Sequence, residues 1–106
     1  MTNANVQLVW HKDARKDMLD IYISIGTHNP NAAEKFYNKI EDRTKLLKYF
    51  PQMGSRRPEI RPGVRIIIER PYLIIYEVRP DTDDHPVKTV EIIGVVDGRR
   101  DLTRLY

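Results

Sequence analysis

The sequence predicts an α+β fold: an N-terminal strand, then an antiparallel helical hairpin packed on a roughly four-stranded antiparallel sheet. Three observations carry this expectation. Apolar residues recur at helical spacing from about Lys12 to Phe50. Three β-branched and aromatic runs follow between Val64 and Val96, and Pro, Gly and Asp clusters punctuate the chain between them.

Val6, Leu8 and Trp10 alternate with Gln7 and Val9, a period of two that sets one face of a short strand on a core. From about Lys12 the period lengthens. Ala14, Met18, Ile21, Tyr22 and Ile25 share one helical face, leaving Arg15, Lys16 and Asp20 to water. Gly26 is expected to stop this helix, with Thr27 to Pro30 as a tight connection. Asn31 is the expected cap of the second helix, paired with Glu34 in a variant of the capping box. That helix runs through Ala33, Phe36, Tyr37, Ile40 and Leu47 to about Phe50, where Pro51 disfavours continuation. So short a connection makes the helices antiparallel neighbours. Turn signals at Pro51 to Ser55 and Arg61 to Gly63 make residues 51–63 an extended surface connection. Val64 to Ile68, Tyr72 to Arg79 and Val87 to Val96 then read as three strands of a meander, the last two joined by the acidic loop Pro80 to Pro86. Where the first strand joins the sheet is left open.

At 106 residues the chain has room for one domain, residues 1–106, and no repeat or linker divides it. Its 41% hydrophobic and 31% charged residues set aside disordered, collagenous and low-complexity classes. No apolar run approaches the roughly 20 residues that span a bilayer. Residues 1–5 lack the basic region and apolar run of a signal peptide, so a cytoplasmic protein without membrane contact is expected. The absence of Cys excludes disulfide frameworks, thiol nucleophiles and thiolate zinc sites.

The net charge of +3 is unevenly placed. Between Gly54 and Arg70, Arg56, Arg57, Arg61, Arg65 and Arg70 face only Glu59 and Glu69. Near the end, Arg99, Arg100 and Arg104 face Asp97 and Asp101. Both clusters use Arg without Lys, and the guanidinium fork pairs with carboxylate or phosphate through two bonds. At so small a net charge, the runs read first as solvated faces and give little support to nucleic-acid binding.

Few groups form a catalytic constellation. His11, His28 and His85 are too widely spaced for a helical pair of metal ligands, and no metal or cofactor is expected. Ser24 and Ser55 lie in no nucleophile elbow, and the five glycines match no phosphate-binding loop. Asp83 and Asp84 sit in a Pro-flanked loop and read as turn residues. What remains is a basic and aromatic set: Arg65, Arg99, Arg100, Arg104, Tyr76 and Tyr106. Such groups can cleave RNA without metal, Arg stabilising phosphorane charge and Tyr moving protons. On their own positions, however, Tyr76 reads as a core residue, Arg65 as an exposed strand residue pointing away from Val64 and Ile66, and Tyr106 as a frayed end.

A further pattern runs from about Val6 to Asp101. The first helix carries Ala14, Asp17, Ile21 and Tyr22, and the second opens with Asn29-Pro30-Asn31-Ala32-Ala33 followed by Phe36. Pro51, Gly54 and Arg57-Pro58-Glu59 come next, then the strand Tyr72 to Val78, then Val95 leading into Gly98-Arg99-Arg100-Asp101. In this order the chain resembles the RelE/ParE superfamily of type II toxins, and the ParE branch more closely than the RelE branch. The resemblance implies the same helical hairpin on an antiparallel sheet. It also implies a partner, a ParD-like antitoxin whose flexible C-terminal half folds onto the toxin in a hetero-oligomer. Arg56, Arg57, Arg61, Arg65 and Arg70 are the residues expected to meet acidic groups of that partner.

RelE-like members are ribosome-dependent mRNA endonucleases, whereas ParE-like members poison DNA gyrase. Where RelE-like nucleases carry an Arg after the Tyr that opens the central strand, this chain has Leu73, and the preceding strand offers Val64, Ile66 and Ile68 in place of Lys. Losing those cations removes charge stabilisation at a scissile phosphate. The resemblance therefore implies a gyrase inhibitor that acts by binding, with Arg99, Arg100 and Arg104 on the target. Asp97 stands where ParE-like chains often have His. Two alternatives stay open: a nuclease using Arg65, Arg100 and Tyr106, whose last two residues have nuclease-like spacing, and an inactive toxin-like binding module.

Overall fold

The computed structural model describes residues 6–106, so the expectation that residues 1–5 carry no export signal lies outside the described residues. Strand β1 (Gln7–Trp10) leads into helix α1 (Lys12–His28), whose N-terminus is capped by the His11 side chain accepting from Asp13 N–H. Gly26 does not stop this helix. It lies inside α1, where its missing side chain lets α1 pass close to Ala33; an added Cβ would sit 3.5 Å from the Ala33 methyl.

Asn29, not Asn31, makes the corner. Its backbone N–H closes α1 on the Ile25 carbonyl at 2.8 Å, and its side-chain oxygen accepts from Ala32 N–H at 3.1 Å to cap helix α2 (Pro30–Leu46). Pro30 occupies the first turn, where its missing N–H leaves no bond unmade. Asn31 is already helical, so it has no cap to make. Asn29→Ala is expected to lower stability by about 1 kcal/mol, read as an earlier midpoint in urea unfolding, because it removes the side-chain cap of α2 while leaving the backbone closure of α1.

Among the described residues the sheet has five strands, β2 (Ser55–Arg56), β3 (Arg65–Glu69), β4 (Tyr72–Arg79) and β5 (Thr89–Asp97) joining β1 in the order β1-β5-β4-β3-β2. Two expectations are corrected here. The sheet is mixed, since β1 runs parallel to β5 with Gln7 opposite Thr89 and Trp10 opposite Ile92. The fifth strand lies in the 51–63 connection, where Ser55 and Arg56 pair antiparallel with Ile66 and Arg65. The long stretch of chain between β1 and β5, which includes both helices, supplies the crossover that a parallel pair needs.

Buried residues line both faces of the sheet, although Ile68 near the end of β3 is 55% exposed. On one, Ile67, Ile74, Tyr76, Val78, Val90, Ile92 and Val95 pack against Ala14, Met18, Phe36, Ile40 and Leu47 of the helical side. On the other, Ile66, Ile75, Ile93 and Val96 are covered by Ile60, Val64 and Leu102. A bulge in β5 adjusts the register: Ile75 pairs with Gly94 and Tyr76 with Ile92, leaving Ile93 as the extra residue.

Arg65 overturns the expectation of an exposed side chain. It does point away from Val64 and Ile66, but the face it enters is the helix-covered one, and it is 7% exposed. Its Nη1 donates to the carbonyls of Gln52 at 3.1 Å and Gly54 at 2.9 Å. Tyr76, opposite Arg65 in β4, is fully buried as expected of a core residue. Its hydroxyl donates to the Pro51 carbonyl at 2.9 Å and accepts from Gly54 N–H at 2.8 Å. Arg65 and Tyr76 thus fasten residues 51–54 to the sheet, and Gly54 is required there because a Cβ would meet the Tyr76 ring edge and hydroxyl at 2.7 Å.

Candidate functional site

Beyond β5 the chain becomes an arm. Gly98 N–H donates to the Pro71 carbonyl and Arg100 N–H to the Asp97 carbonyl, at 2.8 and 3.1 Å. Asp101 then caps the short helix α3 (Leu102–Leu105) by accepting from Thr103 N–H and from its hydroxyl. Leu102 is buried in the far-face cluster and Tyr106 packs against it, so two apolar anchors hold the arm down.

Its cations stay in water. The side chains of Arg99 and Arg104 are 90% and 88% exposed. Arg99 makes a two-bond fork with Asp97 at 3.0 and 2.8 Å, while Arg104 stands 3.9 Å from Asp101. Arg100 is exposed, and among the described residues it makes no ion pair within 4.0 Å. The hydrogen bonds from Arg99 draw the Asp97 carboxyl down from 3.8 to about 2. A carboxylate whose pKa falls on folding favours the folded turn above its unfolded value and loses that preference as pH drops through the folded one. The Asp97–Arg99 fork is therefore expected to hold at pH 7 and open between about pH 4 and pH 2, read as a shift of the Asp97 carboxyl carbon in NMR.

Beside the arm, β1 has ended at Trp10 and the edge of β5 would stand open. The Asp17 carboxylate of α1 closes it by accepting from Val95 N–H at 3.0 Å. Burial raises the Asp17 pKa, and the hydrogen bond from Val95 only partly offsets that. Burial, with Asp17 close by, pushes the Tyr106 phenol up to about 12. A shallow cavity of about 290 Å³ opens here, lined by Asp17, Ile21, Tyr72, Asp97 and Arg100 among others.

The outer surface of the helical hairpin forms a second feature. Trp10, Met18, Tyr22, Tyr37 and Glu41 help to line a cavity of about 580 Å³. Tyr22 and Tyr37 meet edge to face at 5.9 Å, and Arg15 lies 6.0 Å from the centre of the Trp10 ring. Leu19 and Ile23, 56% and 55% exposed, extend this apolar surface along α1. Tyr37 of α2, 39% exposed, belongs to this surface.

The geometry matches a known family. A family model described as the ParE toxin of the type II toxin–antitoxin system parDE matches residues 8–102. The chain belongs to the ParE toxin family. It is similar to Toxin ParE3 of Caulobacter vibrioides, 31% identical over 65 residues, which are 61% of this chain and 58% of that relative, so less than two thirds of the curated relative is spanned. It also resembles a solved structure described as the chromosomal ParDE TA system from P. aeruginosa, with a TM-score of 0.71 and 26% identity over 89% of this chain and 97% of that one.

Within this ParE fold the residues singled out by sequence separate. Arg65, Arg100 and Tyr106 do not converge: Arg65 enters the helix-covered face, whereas Tyr106 packs against the opposite one. Of the basic segment, Arg65 is unavailable to any partner. Arg56 forks onto Asp81 at 3.2 and 3.0 Å, Arg61 reaches Glu77 at 2.9 Å, and Arg57 bonds Glu59. Arg70 is exposed and makes no such pair among the described residues. Sequence reasoning gave no role to Asp17 or Gly94, which meet beneath Tyr106. The one available signal was Gly94 itself, a glycine inside a strand, which marks a bulge or a close approach.

Proposed function

We propose that this chain is the toxin of a ParDE-type module, that it inhibits DNA gyrase by binding, and that a ParD-like antitoxin neutralises it. The observation that carries the mechanism is the far face of the sheet. Where a nuclease of this fold would need cations around a phosphate, Ile66, Ile75, Ile93 and Val96 lie under Ile60 and Leu102. An aliphatic layer offers no charge to a phosphorane. The arm presents exposed cations instead: Arg100 makes no ion pair among the described residues, and Arg99 and Arg104 pair only with neighbouring acids that a charged macromolecule could replace.

The hairpin groove suits the antitoxin. Its exposed Leu19, Ile23 and Tyr37 fit the apolar face of a segment that orders on contact, giving a hetero-oligomer. Arg70 would meet an acid directly, and Arg56, Arg57 and Arg61 would exchange their present partners. Such surface pairs are worth only about 0–1 kcal/mol, so the exchange is cheap. The site of action is the bacterial cytoplasm, where gyrase works.

Purified protein added to gyrase and plasmid is expected to stop supercoiling and leave cleaved DNA, and the antitoxin encoded beside it to restore supercoiling. Undisturbed supercoiling at excess protein rejects the gyrase reading. Codon-phased cuts in messenger RNA on translating ribosomes would establish the nuclease instead, and harmless strong expression without antitoxin an inert binding module.

A further inference from the structure

Strand β5 carries a glycine at its most crowded point. Gly94 is buried at the bulge, and an added Cβ would fall 1.8 Å from the Tyr106 hydroxyl and 2.9 Å from Cζ. The backbone does not ask for glycine there, since Gly63 alone among the described residues has a positive φ. Space does. Glycine weakens a strand interior and buries no side chain, so at this point the strand gives up packing to admit the Tyr106 phenol.

The admitted group belongs to the arm. Asp17 Oδ2 walls the same spot, 3.4 Å from where the Cβ would be, and is itself fixed by Val95 N–H. Arg100 lies close enough for its charge to favour the ionised forms of both Asp17 and Tyr106. With Leu102 buried four residues earlier, the arm is pinned at both ends of its short helix.

We propose that Gly94 is a positioning residue: it opens the seat for Tyr106 that holds the arm at one place on the sheet, so that Arg99, Arg100 and Arg104 meet their target already aligned. This deepens the gyrase reading and rests on it. A free arm would have to order its long side chains and backbone during binding, and that ordering subtracts from affinity.

Gly94→Ala tests it. The strand accepts the alanine backbone, and the severe clash of the new methyl group is with the end of a movable ring. Amide hydrogen exchange of residues 102–106 is expected to quicken by about tenfold or more, with the thermal midpoint held and gyrase inhibition weakened by about tenfold. Tyr106→Ala is expected to have both effects, and adding Gly94→Ala to it to have no more. A general weakening of β5 would add instead. Unchanged exchange in Gly94→Ala overturns the seat, and quicker exchange with undiminished inhibition overturns the positioning role. If the parent protein does not inhibit gyrase, the functional reading and the positioning role fall together, while exchange alone still decides whether Gly94 seats the arm.

Discussion

Truncating Tyr76 to alanine is expected to destabilise the fold by about 4 kcal/mol, a large share of the roughly 5–15 kcal/mol that holds a domain of this size. The ring is fully buried between the sheet and the helices, so its loss leaves a cavity. Its hydroxyl also bonds both the Pro51 carbonyl and Gly54 N–H, and truncation leaves both without that partner. Tyr76→Phe isolates that second part and is expected to lose about 2 kcal/mol. Guanidinium unfolding followed by circular dichroism checks both. A Tyr76→Phe protein as stable as its parent would show that Pro51 and Gly54 are not held by the phenol. The effect reaches beyond stability, because the tethered segment leads into β2 and the Arg56–Arg61 stretch proposed to meet the antitoxin.

Replacing Arg99, Arg100 and Arg104 together by alanine is expected to weaken gyrase inhibition by about a hundredfold while shifting stability by no more than about 0.5 kcal/mol. The separation follows from exposure. Arg99 and Arg104 are almost wholly in water and pair only with acids two or three residues away, so the fold depends little on them. Because exposed charges are screened by salt, inhibition by the parent is expected to weaken as ionic strength rises, and that of the triple variant to change little. Lysine at the three positions tests the fork: charge alone would restore inhibition, whereas two-bond recognition would not be recovered. Undiminished inhibition by the alanine variant would move the target surface away from the arm.

Much of this was legible in the sequence where one periodicity ruled. The helical spacing from Ala14 to Ile25 and the run from Tyr72 to Arg79 became α1 and β4 with little change. Boundaries that depended on a single side chain were misplaced: Asn29 caps α2 in place of Asn31, since Pro30 begins the helix and the cap must precede it. The arm was legible as an Arg cluster, but its anchoring was not, because Gly94 and Tyr106 lie twelve residues apart and meet only once the chain has folded back.

By itself, then, the sequence determined the helical hairpin, the three long strands, the cationic arm and the family, because these are carried by spacing and order along the chain. The tertiary structure alone decided that β1 runs parallel to β5, that Arg65 is interior, and that the arm is seated on Gly94 beside Asp17. The physical reason is that alternation in a strand tells which side chains share a face but not what covers that face. Arg65 was correctly placed opposite Val64 and Ile66, yet only the packing of helices and the 51–54 turn turned that side from solvent into core.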